Sequence, residues 1–169
     1  MSLLTSAVAA VIRDPAGHVL LCQQSQGHRL WGLPGGRIRN GESPLHAVIR
    51  DVLEETGCEI EVVDLVGIYQ LTGAGCGEDL PDVLVHVFRA EEPAEAENAV
   101  NAPGRICRLA WHDPDDLPEP MTATTRAAIV DAVAGRSGVL RDVRRDIEPD
   151  VPDADDEAEL AAEPALALA

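Results

Sequence analysis

Five charged side chains fall within fourteen residues of this chain: Glu42, Arg50, Asp51, Glu54 and Glu55, in the run GRIRNGESPLHAVIRDVLEETGC from Gly36 to Cys58. On a helix, positions three and four apart are neighbours, so Asp51, Glu54 and Glu55 are expected to share one face. Like charges so spaced repel. A hard divalent cation, which prefers oxygen ligands, would turn that repulsion into binding. Arg50 precedes Glu54 by four residues and can pair with it, holding its rotamer. Gly35, Gly36 and Gly41 allow backbone turns that bring Glu42 back towards the carboxylates. The competing reading, a plain solvated acidic helix face, explains the carboxylates alone but not the glycines and Glu42 in register with them.

The helix that must carry these groups is marked at both ends. Ser43 suits the N-cap, Pro44 the first helical position, and Gly57 a left-handed C-terminal stop. Leu45, Val48, Ile49, Val52 and Leu53 recur at helical spacing and predict one apolar stripe. Arg50, Asp51, Glu54 and Glu55 are then expected on the other side.

The segment is similar to the Nudix box, G-x5-E-x7-R-E-U-x-E-E-x-G-U with U an aliphatic residue. Gly36, Glu42, Arg50, Val52, Glu54, Glu55 and Gly57 fall on that pattern. Asp51 stands where the family has Glu, and Cys58 where it has an aliphatic residue. The second change is mild, because a buried thiol behaves as a small hydrophobe. The chain thus resembles Nudix hydrolases of the MutT-like kind. The resemblance implies an α/β Nudix fold, a mixed sheet sandwiched between helices, and hydrolysis of a phosphoanhydride bond in a nucleoside di- or triphosphate derivative. It implies Mg²⁺, with Mn²⁺ as an alternative, held by Glu54 and Glu55 with the Gly36 backbone. Asp51 enters as a further ligand or a proton acceptor, and Arg50 as part of the catalytic set. Arg37 and Arg29 are candidate phosphate contacts, each weighed against an ordinary surface arginine. Glu78, Asp79 and Asp82 are weaker candidates for a further metal ligand. The proline of many ADP-ribose hydrolases is absent; Ala74 stands in its place. The rival reading is a non-catalytic Nudix module that binds a nucleotide, kept open by Asp51.

Around the box, Ser6 to Ile12 and Val19 to Cys22 read as a hairpin across Asp14-Pro15-Ala16-Gly17. Further strands are expected at 59–71, 82–88 and 106–111, and a second helix over 122–134. Strands interleaved with two helices argue for a mixed sheet covered on both faces. The catalytic domain is expected over 1–145. From Asp146 the chain holds nine acidic residues and no basic ones, and reads as a flexible acidic tail, 146–169.

Composition narrows the partners. A net charge of −17, with every basic residue an arginine, argues against nucleic-acid polymers and acidic membrane surfaces. A small nucleotide screened by metal fits better, and a homodimer is left open. Four cysteines without paired spacing indicate free thiols and a cytoplasmic setting, and the N-terminus carries no signal-peptide pattern. The aromatic candidates for base stacking are Trp31, Tyr69 and Phe88, each better read as core. The five histidines show no ligand spacing and are assigned no role.

Overall fold

The computed structural model describes residues 4–25, 27–73, 81–92 and 106–145. Ala74, Glu78, Asp79 and the acidic tail from 146 lie outside the described residues.

Ten elements follow in order: β1 (Thr5–Arg13), β2 (Val19–Gln24), β3 (Trp31–Gly32), β4 (Gly35–Arg37), α1 (Pro44–Thr56), β5 (Glu61–Thr72), β6 (Val83–Glu91), β7 (Ile106–His112), α2 (Ala123–Val133) and β8 (Val139–Arg144). The strands form one mixed sheet in the order β3-β2-β1-β6-β5-β8, with β4 paired to β1 and β7 to β2. β1 runs parallel to β6 along its whole length and antiparallel to β4 at Ala7–Arg37, Val8–Gly36 and Ala9–Gly35.

Alternation along β1 divides the core in two. Ala7, Ala9 and Val11 point to one face, where they meet Ala128, Ile129 and Ala132 of α2 together with Tyr69, Val85 and Val87. Val8, Ala10 and Ile12 point to the other, against Ala47, Val48 and Val52 of α1. A strand buried on both faces reads as a continuous apolar run, which is how SAVAAVI presents itself. The architecture is the expected helix–sheet–helix sandwich. The β1–β2 turn is closed by Asp14, whose carboxylate accepts from the His18 amide at 2.8 Å, with Gly17 at φ 90°.

Three readings change. The stretch from Trp31 to Gly36, read as a lead-in to the helix, supplies two short strands, β3 and β4. A strand absent from the sequence reading, β8, extends the sheet edge parallel to β5. Its residues are mostly exposed, Leu140 at 79%, so no apolar alternation announces it.

The third change concerns α1. Its caps are as expected: Ser43 Oγ accepts from the His46 amide at 3.2 Å, and Gly57 at φ 75° donates to the Leu53 carbonyl at 2.9 Å. Its inward face, however, is Ala47, Val48, Asp51, Val52 and Thr56. Leu45, Ile49 and Leu53 are exposed. The helix is rotated about its axis relative to the stripe drawn through its large residues. Small Ala47 faces the sheet, and Asp51 goes inward beside the glycines of β4.

Candidate active site

The site is assembled where α1 crosses β4. Both glycines of β4 are there because nothing larger fits. A Cβ on Gly35 would stand 2.1 Å from the Val8 carbonyl oxygen, and one on Gly36 would stand 2.9 Å from Asp51 Oδ2. The Gly35 amide donates to Glu55 Oε2 at 3.1 Å. Helix and strand therefore meet through two carboxylates lying against bare backbone.

One guanidinium organises the rest. Arg50 donates to both oxygens of Glu42, at 2.7 and 2.9 Å, to Asp51 Oδ1 at 2.7 Å and to Glu54 Oε2 at 3.2 Å. It also reaches the Arg37 carbonyl at 3.3 Å. The Arg50–Glu54 pair is the one expected from spacing; the two-pronged grip on Glu42 is tighter. Glu42 is turned back by a loop in which its amide donates to the Arg39 carbonyl and its carboxylate accepts from the Arg39 amide at 3.0 Å. Gly41, at φ 78°, permits that turn.

Electrostatics separate these carboxylates. The Arg50 guanidinium, followed by the Arg39 amide, holds Glu42 down at about 2. Asp51 is displaced upward, because burial outweighs its pairing with Arg50. Its Oδ2 is buried and has no hydrogen-bond partner among the described residues. Burial also lifts the Cys58 thiol to about 11, as suits a small apolar residue in the aliphatic position.

Of the residues singled out in the sequence, Gly36, Arg50, Asp51, Glu54 and Glu55 come together around this crossing, with Glu42. The expectation that Asp51, Glu54 and Glu55 share one helix face is corrected. The Asp51 side chain is 8% exposed and faces inward, whereas that of Glu54 is 51% exposed and turns out to Arg39 and Arg50. Among the described residues, no group of three or more His, Cys, Asp or Glu side chains is gathered to hold a metal ion. Arg37 ends β4 with its side chain exposed. Arg29 lies before β3, exposed and at φ 50°. Asp82 immediately precedes β6. Tyr69 is wholly buried and donates to Asp131, so it belongs to the core. Arg39, which pairs with Glu54 at 3.2 Å, escaped the sequence reading. Its only signal was its place three residues before Glu42, where a tight turn joins them.

The side chains gathered at this crossing are those of the segment that resembles the Nudix box. The NUDIX domain model matches residues 3–133, and the chain belongs to that family. A MutT-like protein of Streptomyces ambofaciens is 30% identical over 134 residues, covering 79% of this chain and 80% of that protein. The oxidized purine nucleoside triphosphate hydrolase of Danio rerio is 32% identical over 108 residues, 60% of this chain and 62% of that protein. Among solved structures, the MutT Nudix hydrolase of Burkholderia pseudomallei superposes with a TM-score of 0.67 at 29% identity, covering 76% of this chain and 98% of that one.

Proposed function

We propose that this Nudix protein is a Mg²⁺-dependent pyrophosphohydrolase. Its substrate is a nucleoside di- or triphosphate derivative, cleaved to a nucleoside monophosphate and the remaining phosphorylated group. The observation that carries the reading is the Gly36–Asp51 contact: a buried carboxylate oxygen without a partner among the described residues, beside a residue that has no side chain. Burying such an oxygen is costly unless something satisfies it. An all-oxygen donor set of this kind fits a hard cation. Asp51 and Glu55, with the backbone at Gly36, would hold it, and Glu54, turned out to Arg39 and Arg50, would have to swing inward to join them. When bound, the cation supplies positive charge at the phosphate oxygens and makes water more acidic.

The chain's own groups have distinct tasks. Arg50 keeps Glu42 ionised and holds Glu42, Asp51 and Glu54 in place, so each carboxylate is preorganised before substrate arrives. Glu55 is oriented by the Gly35 amide, which holds its carboxylate at the crossing of α1 and β4. Arg37, exposed at the end of β4, is suited to a phosphate oxygen, and Arg29 to one further along the approach. The nucleoside triphosphate class is favoured because the Danio relative is named for it, and a Bacillus subtilis protein 35% identical over 66 residues is named a putative 8-oxo-dGTP diphosphatase.

A panel of nucleoside triphosphates and nucleoside diphosphate derivatives, assayed for phosphate and pyrophosphate release with Mg²⁺ or Mn²⁺, tests this. Turnover that disappears with chelator is expected. Saturable nucleotide binding without turnover would overturn it in favour of a regulatory binding module.

A further inference from the structure

The family match ends at residue 133, yet the described structure continues through β8 to Arg145, and that last residue is tied back into the sheet. The Arg145 amide donates to the Thr72 carbonyl at 2.9 Å. Its guanidinium donates to the Gly73 carbonyl at 2.8 Å and to the Pro81 carbonyl at 2.6 Å. One side chain therefore binds the last residues after β5 and the first residues before β6 at once. A guanidinium suits this, since its planar fork offers several donors in fixed directions, whereas an ammonium is a single point. The side chain is partly buried, and burial pulls its proton affinity down while neighbouring Asp82 pulls it up.

From that clamp a continuous run of backbone bonds leads to the site. The Asp82 carbonyl accepts from the Thr5 amide at 2.9 Å, and the next residue of β1, Ser6, accepts from the Ile38 amide at 3.1 Å. Ile38 follows Arg37, whose carbonyl accepts from Arg50. In the sheet, Arg37, Ala7 and Val85 stand side by side across β4, β1 and β6. The start of β6 is thus one strand removed from the exit of β4, where the box loop begins.

We propose that Arg145 is a positioning residue for hydrolysis. By joining the end of β5 to the start of β6, it holds the origin of β6 against β1 and so sets the edge of the sheet on which Arg37 approaches substrate. The consequence falls on substrate binding more than on the chemical step, because Arg145 touches none of the carboxylates. This rests on the hydrolase reading above.

The test uses full-length protein with Arg145→Ala, Arg145→Lys and, as a control on the same strand, Leu140→Ser at an exposed position. Steady-state kinetics with dGTP and Mg²⁺ (or whichever nucleotide of the panel turns over fastest) are combined with hydrogen exchange at the Thr5 amide. In Arg145→Ala, KM should rise about tenfold with kcat within about twofold, the signature of lost uniform binding. Exchange at Thr5 should accelerate by about tenfold or more, since local opening becomes easier. Arg145→Lys should lie close to Arg145→Ala, and Leu140→Ser close to wild type. Unchanged KM, even with a lowered Tm, would reduce Arg145 to a structural residue and overturn the proposal. Wild-type behaviour of Arg145→Lys would overturn the two-carbonyl clamp, and that variant decides the matter if Arg145→Ala does not fold. Absence of wild-type turnover would sink the hydrolase reading instead, and unchanged exchange at Thr5 would then still refute the clamp.

Discussion

Asp51 lies directly beneath Gly36: a methyl group added to that glycine would meet Oδ2 at 2.9 Å and Cγ at 3.1 Å. Because the carboxylate is buried, it has little room to move aside. Gly36→Ala is therefore expected to destabilise the protein by about 1–3 kcal/mol through overpacking. It should also reduce hydrolysis more than its stability loss explains, since the displaced group carries the oxygen that has no partner among the described residues. Chemical denaturation alongside single-turnover rates separates the two effects, and an unperturbed enzyme would show that the contact is slack.

Glu55 receives the Gly35 amide through one oxygen, a bond that glutamine can still accept. Glu55→Gln should leave the Tm nearly unchanged while lowering kcat by about two orders of magnitude or more, about 3 kcal/mol of transition-state stabilisation. Near-normal turnover of this variant would remove Glu55 from the site.

Asp51 is ionised at a cost, as its upward displacement by burial shows. A carboxyl whose folded value lies above its unfolded one favours the folded state at low pH and loses that advantage as pH rises past it. At neutral pH Asp51→Asn should thus be more stable than wild type, measured by denaturant midpoint. Asp51→Ala should lose one to three orders of magnitude in kcat/KM, roughly 1.4–4 kcal/mol. Asp51→Glu restores the family residue but adds a methylene under Gly36. It should retain hydrolysis while losing about 1–3 kcal/mol of stability. Full activity in the alanine variant would exclude Asp51 from catalysis.

Glu42 and Asp131 set the acid limit. Arg50 holds Glu42 down at about 2, against an ordinary value of 4.5, and the Arg141 guanidinium, with Arg136 and Tyr69, holds Asp131 low as well. For depressed carboxyls the stabilisation is complete above the unfolded value and is lost as pH falls towards the folded one. Stability should therefore decline from about pH 4.5 towards pH 2, and Glu42→Gln should flatten that decline. Identical acid titrations for wild type and Glu42→Gln would show that the Arg50–Glu42 pair contributes nothing to folding.

Arg50→Ala should release Glu42, Asp51 and Glu54 together, because it is bound to all three. Breaking the pair with buried Asp51 from one side leaves its charge uncompensated. A Tm lower by about 4–8 °C and a loss of activity larger than in Glu42→Gln are expected. Arg50→Lys should recover little, since an ammonium cannot reproduce the fork. Equal effects of Arg50→Ala and Glu42→Gln would mean that Arg50 serves Glu42 alone.

What could be read from the residues themselves was local. Ser43, Pro44 and Gly57 mark both ends of α1 because caps depend on a few adjacent backbone groups, and β1 declares itself as a strand buried on both faces. The box residues were legible for the same reason: glycine, carboxylate and arginine at fixed offsets specify a short loop and one helix. What the helix faces is not local. Large residues 45, 49 and 53 outweigh Ala47 in any periodic pattern, yet they stay exposed, because Ala47, Val48 and Val52 are the residues that pack against β1 while Asp51 lies beside Gly36. The same holds for β8, whose place comes from pairing with β5 and from Arg145 reaching two carbonyls on either side of residues 74–80. Those bonds join positions more than sixty residues apart, and no pattern within a short window of sequence encodes them. The identity of the carboxylates was a property of the sequence; which one is buried, which is held by Arg50 and which faces outward was decided by the sheet beneath them.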